Sequence, residues 1–247
     1  QKGAKMFTDQ QDAYGELVSA YYNGKDVTEI VERDDGFIST SAGPQAYFLE
    51  YDQWPNHYKE AIQMVRGRIL DVGSGAGRIS LFLQKQGYEV LATDNSPIAL
   101  QVCQLRGVIN TALCPITQLS NRLGIFDSIV MLGNNFGLFG NFKRAKWLLK
   151  RFHRMTSAQG RIIAESNDVY ATDEPIHLSY HRQNRQRERM SGQLRLRIRY
   201  QNFKTPWFDY LIVSQSEMKE IVQGTGWIIR QFINSEGPQY IAVIDKE

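Results

Sequence analysis

The chain has 247 residues, 42% of them apolar, and a formal net charge of only +3. That balance fits one α/β domain with an elaboration, large enough to bury a core, and as a total it points to no charged partner. Cys103 and Cys114 form neither a disulfide framework nor a metal-ligand spacing, which suits a reduced, cytoplasmic protein. No stretch nears the roughly 18 consecutive apolar residues of a membrane span, and the opening QKGAKMFTDQ lacks an apolar signal core.

Residues 1–5 read equally as an expression remnant or an ordinary frayed end. Residues 8–22 pattern as a short helix with aromatic and aliphatic residues on one side, closed by the turn NGKD. A break at STSAGPQ precedes AYFLEYDQWP. If that segment is helical, spacings of four, three and four put Tyr47, Tyr51, Trp54 and Tyr58 on one side, although Pro55 interrupts it. Asn56 to Arg66 suggests another helix, with Tyr58, Ile62 and Val65 on one stripe.

Strands and helices then alternate. Arg68 to Val72 is a buried strand, Arg78 to Gln86 a helix closed by Gly87, and Glu89 to Thr93 a second strand. Ser96 and Pro97 open a helix as its cap and first residue. Short strands follow near Thr111 to Cys114 and over FDSIVML at 126–132, then the basic amphipathic helix NFKRAKWLLKRFHRM and the strand GRIIAES at 160–166. Short connections and this alternation imply a parallel sheet with helices on both faces. At 193–200, QLRLRIRY changes to period two, the mark of a strand with one wet face, and WFDYLIV at 207–213 is its expected antiparallel partner. A capped helix in SQSEMKEIVQGTGW and strands near 227–232 and 239–244 end the chain. The expected organisation is a single domain: an N-terminal helical lid (1–55), a core (56–190), an inserted antiparallel hairpin (191–214), and a C-terminal helix with strands (215–247).

RILDVGSGAGRISLFLQKQGYEVLATDNS, residues 68–96, carries the chemistry. A glycine-rich strand-to-helix turn lets a ligand approach the backbone, because no Cβ intervenes. A phosphate-binding loop needs Lys-Ser/Thr after the glycines, where this chain has Arg-Ile. A dinucleotide turn wants a third glycine at the sixth position, where this chain has Arg78. Instead Gly73, Gly75 and Gly77 alternate, Asp71 precedes them, and Asp94 ends the next strand. An acid at Asp71 suits a cationic ammonium, and a carboxylate at Asp94 can accept from both ribose hydroxyls. The ligand so described has a free ribose, an amino-acid-like cationic head and no phosphate; S-adenosylmethionine meets each demand. The plain alternative is a purely structural turn.

Through ILDVGSGAGR, ATDNSP, FDSIVMLGNNFGLFG, GRIIAES and the terminal TGW…YIAVI, residues 56–247 resemble the class I S-adenosylmethionine-dependent methyltransferases, on their small-molecule branch. The resemblance implies a doubly wound, mostly parallel seven-stranded sheet, Rossmann-like, with its last strand antiparallel. It implies cofactor contacts at Asp71, Gly73, Gly75, Ala76, Gly77, Asp94, Asn95, Ser96, Cys114, Pro115, Ile116, Leu132 and Gly133. An acid usual after the third strand is replaced here by Pro115. The family places the substrate nucleophile at the fourth-strand exit, here Gly133, Asn134, Asn135 and Phe136. Adenine- and glutamine-directed relatives carry prolines there; this chain has none, which disfavours a DNA-adenine substrate.

Methyl transfer from a sulfonium is an in-line displacement that asks mainly for positioning and desolvation. Asn134, Glu165 and His177 are the candidate catalytic residues. Asn134 and Asn135 read equally as loop residues satisfying backbone. Glu165 ends its strand and can accept a proton, whereas Asp168 suits a solvated loop. His177 and His181 stand four apart on a helical face without a neighbouring acid, a pattern that more often covers a surface than holds metal; no metal is expected. Tyr47 and Tyr51 are candidate substrate contacts, able to cage a cationic amine or shield a sulfonium, or simply to pack the lid. Eight basic residues run from Arg182 to Lys204. They offer an anionic or RNA partner, but Arg195, Arg197 and Arg199 share one strand face, the usual solvent side. A small-molecule methyltransferase is the leading expectation. Its rivals are an RNA or protein methyltransferase and a non-catalytic cofactor-binding subunit. The sequence leaves the oligomeric state open.

Overall fold

The computed structural model describes residues 9–41 and 43–247. The expected remnant or frayed end at 1–5, the first position of the expected helix at residue 8, and Ala42 within the STSAGPQ break lie outside them. In chain order the elements are α1 (Ala13–Tyr22), β1 (Ile30–Arg33), β2 (Ile38–Thr40), α2 (Gln45–Phe48), α3 (Asn56–Ile62), β3 (Ile69–Val72), α4 (Arg78–Lys85), β4 (Val90–Asp94), α5 (Pro97–Leu105) and β5 (Thr111–Leu113). They continue with β6 (Phe126–Met131), α6 (Phe142–Arg154), β7 (Thr156–Asn167), α7 (Pro175–Gln186), β8 (Gln193–Tyr200), β9 (Phe203–Lys204), β10 (Phe208–Leu211), α8 (Gln215–Val222), β11 (Trp227–Asn234) and β12 (Gln239–Lys246). Seven strands form a mixed sheet in the order β11-β12-β7-β6-β3-β4-β5, and a second sheet runs β10-β8-β1-β2 with β9 on β8.

The helix starts obey local capping chemistry. Asp12 accepts from the Gly15 amide at 2.9 Å to start α1, and Ser96 accepts from the Ala99 amide at 2.9 Å before Pro97 to start α5. Ser214 and Glu217 form a reciprocal capping box on α8, each satisfying an amide that would otherwise be orphaned.

Two sequence patterns resolved differently. The N-terminal segment is not helical throughout: Ile30–Arg33 and Ile38–Thr40 make an antiparallel hairpin, Ile30 opposite Thr40, across a turn containing Gly36 at φ +87°. Alternating, β-branched TEIVE followed by DDG carries that signal. Nor is AYFLEYDQWP one helix. Leu49 is extended at φ −56°, ψ 134°, and a Glu50–Gln53 capping box begins a separate turn, so Tyr47 and Tyr51 do not share a helical face.

The chain forms two compact units. One comprises Gln1–Trp54, Ile69–Leu119 and Arg195–Phe208; the other comprises Pro55–Arg68, Ser120–Leu194 and Asp209–Glu247. In the first unit, β3, β4 and β5 are parallel. Helix α1 buries Ala13, Leu17 and Ala20 with Tyr200, and Val18 with Ala76 and Val102. The first helix is thus packed onto the segment that holds the glycine turn. Strand β8 pairs antiparallel with β1, Arg197 opposite Glu32.

In the second unit, β6 runs parallel to β7, while β12 is antiparallel to both β7 and β11. Ile129, Val130, Ile162, Ile163, Ala164, Val243 and Ile244 are fully buried. The buried Trp227 indole donates to the Leu149 carbonyl at 2.8 Å, fixing β11 to α6.

Candidate active site

In the first unit, β3 ends at Val72 and the chain turns through Gly73, Gly75 and Gly77 at φ +72°, +52° and +79°. These left-handed values favour glycine, and space adds a second demand. A Cβ on Gly75 would lie 2.4 Å from the Tyr14 hydroxyl, and one on Gly77 would lie 2.6 Å from Cys103 Sγ and 2.8 Å from Val108. Gly77→Ala should therefore lower stability by about 1–3 kcal/mol, combining backbone strain and overpacking; denaturant unfolding reads this directly.

Two buried carboxylates flank the turn. The Asp71 carboxylate accepts from the Ser80 hydroxyl at 2.6 Å and is 3% exposed. Burial pushes its carboxyl up to about 6, against the lowering influence of Ser80 and the Arg78 charge. Asp94 accepts from the Gly75 amide through Oδ2 and from the Ser96 amide through Oδ1, both at 2.9 Å. Burial raises its carboxyl too, opposed by those amides. Each Asp94 oxygen keeps a further lone pair for a ligand hydroxyl.

The raised Asp71 carboxyl has a stability consequence. Its folded-state value exceeds the unfolded one, so its contribution is complete below about pH 4 and lost as pH rises through about 6. At about 1.4 kcal/mol per pH unit, the loss is roughly 3 kcal/mol. The stability difference between wild type and Asp71→Asn should therefore shift by that amount against wild type between pH 4 and 7. Parallel urea titrations check it.

Around this turn lie residues that carried no sequence motif. The Tyr14 ring meets Tyr47 edge-on at 5.5 Å, and burial with the nearby Asp94 and Glu29 charges holds its phenol well above the usual range, hence neutral. Asp12 accepts from the Ser96 hydroxyl at 2.8 Å, and Arg106 donates to the Ala76 carbonyl at 2.7 Å. Of the expected cofactor contacts, Ala76 and Ser96 are buried and Asn95 is exposed. The Cys114 amide donates to the Asp94 carbonyl at 2.8 Å, and Pro115 and Ile116 begin a 3-10 turn. The Tyr47 hydroxyl donates to Glu29 at 3.0 Å. Tyr51 stacks on Phe82 at 4.4 Å and meets Trp54 at 5.4 Å.

In the second unit, Leu132 is buried and the chain leaves β6 through Gly133 at φ +80° and Asn134 at φ +63°, an uncommon value for asparagine. One atom holds this bend. Glu165 Oε2, on β7, accepts from the amides of Gly133 at 2.7 Å and Asn134 at 2.6 Å, and from the Tyr58 hydroxyl at 2.5 Å. The Tyr210 hydroxyl donates to the Asn134 carbonyl at 2.5 Å. Glu165 is 4% exposed and shapes the loop through these bonds. Asn135 begins a 3-10 turn, and Phe136 is fully buried, edge-on to Phe139 at 4.9 Å.

His177 is half-buried on α7, whereas His181 is buried, with its ring 6.3 Å from Tyr170. The four-residue spacing thus spans a rim position and an inward one. Asp168 accepts from the Tyr170 amide at 3.0 Å in a local turn. The arginines of β8 are engaged: Arg197 grips Glu32 with two bonds of 2.8 and 2.9 Å and lies 4.5 Å over Trp207, and Arg199 reaches Glu32 at 3.3 Å. Among the described residues no helix is long and apolar enough to cross a membrane.

Residues 69–160 match the family model for a methyltransferase domain. The fold is similar, over all of this chain and 99% of the other, to an S-adenosylmethionine-dependent methyltransferase from Bacteroides fragilis solved with S-adenosyl-L-homocysteine, at a TM-score of 0.84 and 22% identity. It is also similar to the CcbJ methyltransferase from Streptomyces caelestis, with TM-score 0.63, 12% identity, and 97% and 99% of the two chains covered. A third likeness is to the 1,6-didemethyltoxoflavin-N1-methyltransferase of Burkholderia thailandensis, solved with 1,6-didemethyltoxoflavin and S-adenosylhomocysteine: TM-score 0.52, 17% identity, coverage 96% and 87%. No curated protein sequence matches the chain. The family match over residues 69–160 and the seven-stranded mixed sheet agree with a class I methyltransferase fold. The matched domain and these structural likenesses support an S-adenosylmethionine-dependent methyltransferase.

Proposed function

We propose that the acceptor is a small molecule and that the cofactor is held by the turn from Asp71 to Gly77 together with Asp94. The observation that carries the cofactor reading is the glycine turn itself: three glycines at left-handed φ, with two buried carboxylates beside them. A phosphate-bearing ligand would meet those carboxylates as like charges, whereas an ammonium and ribose hydroxyls would be welcomed. When bound, S-adenosylmethionine supplies an activated methyl group on its sulfonium. Asp94 then orients the ribose, Asp71 compensates the ammonium, Tyr14 covers Gly75, and Cys114, Pro115 and Ile116 edge the adenine. At the β6 exit, Gly133, Asn134 and Asn135 position the acceptor, with Glu165 fixing their backbone.

Two observations favour a small acceptor over RNA. Arg197 and Arg199 of the basic stretch are both engaged by Glu32, which offsets one of their two charges, and the Burkholderia relative was solved with 1,6-didemethyltoxoflavin bound. The two free thiols fit a reducing cytoplasm. Incubating the protein with methyl-labelled S-adenosylmethionine and separate small-molecule, RNA and protein fractions of a cell extract tests the proposal. Label should enter the small-molecule fraction; label confined to RNA or protein would overturn it.

A further inference from the structure

Arg78, Leu81, Phe82 and Lys85 recur at helical spacing on α4, forming one stripe with a cation at each end and apolar groups between. The segment from Leu49 to Trp54 packs on this stripe. Tyr51 stacks on Phe82 at 4.4 Å, and Trp54 meets Tyr51 at 5.4 Å and Phe82 at 5.1 Å. Together they line a cavity of about 120 Å³, with Arg106 from the end of α5 in its wall. All of these residues belong to the first compact unit.

Among the described residues the lining holds three cations, Arg78, Lys85 and Arg106, against one carboxylate, Glu50. The Arg78 charge also serves Asp71; setting it aside, Lys85 and Arg106 still outnumber Glu50. That carboxylate is 71% exposed and stands 4.0 Å from each of the two cations, where water screens most of its pull. The Arg106 side chain, by contrast, is only 11% exposed. Its Nη1 donates to two uncharged carbonyls, of Ala76 at 2.7 Å and Tyr47 at 3.5 Å, and its Nη2 faces Glu50 from 4.0 Å. Burial holds this guanidinium below its ordinary value, with Glu50 acting the other way. A cation so placed gains from an anion at close range, and a carboxylate can meet a guanidinium with two parallel bonds.

Size and lining narrow the ligand. An apolar cavity of about 150 Å³ admits benzene, whereas drug-sized ligands fill about 300–1,000 Å³. The volume thus excludes a nucleotide and suits one ring or a short branched chain. Leu49, Tyr51, Leu81 and Phe82 call for an apolar body, and the surplus cation calls for a single anionic head. We propose that this cavity is a binding site for a small organic monoanion, a carboxylate on a compact apolar body, separate from the cofactor turn. The carboxylate meets Arg106 and Lys85 in place of Glu50, and the body lies against the aromatic wall. The site adjoins the turn through Arg78, which follows Gly77, and through the Arg106 bond to Ala76. Helix α4 then carries Lys85 seven residues further, about 10 Å along the axis.

Sodium benzoate and sodium isobutyrate, titrated at constant ionic strength with and without S-adenosylhomocysteine, test the proposal. The NMR reporter is the Trp54 indole N–H, which donates to the Leu49 carbonyl at 2.9 Å. Either carboxylate should shift it saturably, with the nucleoside present or absent. Benzamide, a ring without the charge, and sodium sulfate, a charge without the body, should not. Silence from both carboxylates, an equal response to benzamide or sulfate, or competition by S-adenosylhomocysteine would overturn the site. Lys85→Gln should weaken benzoate binding roughly two- to fivefold, and Glu50→Gln should strengthen it by a similar factor, the range for exposed charge pairs. Both side chains are mostly exposed, so melting temperatures should stay at the wild-type value. Changes of the same sign, or none in either variant, would contradict the assignment. Failure of S-adenosylhomocysteine itself to bind would count against the cofactor reading, and the benzoate series would still decide the cavity.

Discussion

Glu165→Ala is expected to lower folding stability by about 3–5 kcal/mol, the scale of breaking a buried charge-centred network. The carboxylate accepts from three groups at once, the amides of Gly133 and Asn134 and the Tyr58 hydroxyl, all within 2.5–2.7 Å, and the Gly133 amide also reaches the Tyr58 hydroxyl at 3.0 Å. Alanine would leave those donors facing a cavity, and Asn134 would have lost what holds its left-handed φ of 63°. Glu165→Gln keeps an oxygen for them and should cost less than half as much, because only the charge assistance goes. Urea unfolding of the two variants against wild type measures both. A loss below about 1 kcal/mol for the alanine variant would mean that the loop does not depend on this residue.

Asp94→Ala carries the second large expected effect, on the ligand rather than the fold. Loss of hydrogen bonds to a charged group costs about 1.5–3 kcal/mol, roughly 10- to 150-fold in cofactor affinity. The variant also frees the Gly75 and Ser96 amides, so part of the loss would come from a slackened turn. Asp94→Asn separates the two contributions. It keeps one acceptor oxygen at that position but removes the charge, so it should restore part of the turn while leaving the ribose more weakly held. Calorimetric titration with S-adenosylhomocysteine distinguishes them.

The parts of the fold governed by short-range rules were legible in the sequence. The strand-to-helix alternation, the Ser96-Pro97 start of α5, the Ser214 cap of α8 and the period-two pattern of β8 all act within a few residues. The glycine turn was legible because alternation of Gly73, Gly75 and Gly77 is a local steric statement. Residues made important by distant partners were not. Tyr14 matters because α1 packs its hydroxyl beside Gly75, and nothing in AYGEL announces that. Tyr58 lies 107 positions before Glu165, and only the folded second unit brings them within 2.5 Å. The β1–β2 hairpin carried a readable signal, alternation followed by DDG, but β1 gains its place by pairing with β8 far along the chain. The segment around Tyr47 and Tyr51 departs from the shared helical face that its spacing allows for the opposite reason. Its helical spacing is real, but a local capping box at Glu50 and Gln53 overrides it.

The central claim is that a phosphate-free adenosyl ligand sits on the bare backbone beside Gly75 with its ribose on Asp94. A crystal structure of the complex with S-adenosylhomocysteine tests this most directly. The account predicts both ribose hydroxyls within hydrogen-bonding distance of the Asp94 carboxylate and the amino-acid end along Gly73 to Gly77. A ligand seated elsewhere, with Asp94 still bound only to Gly75 and Ser96, would contradict it.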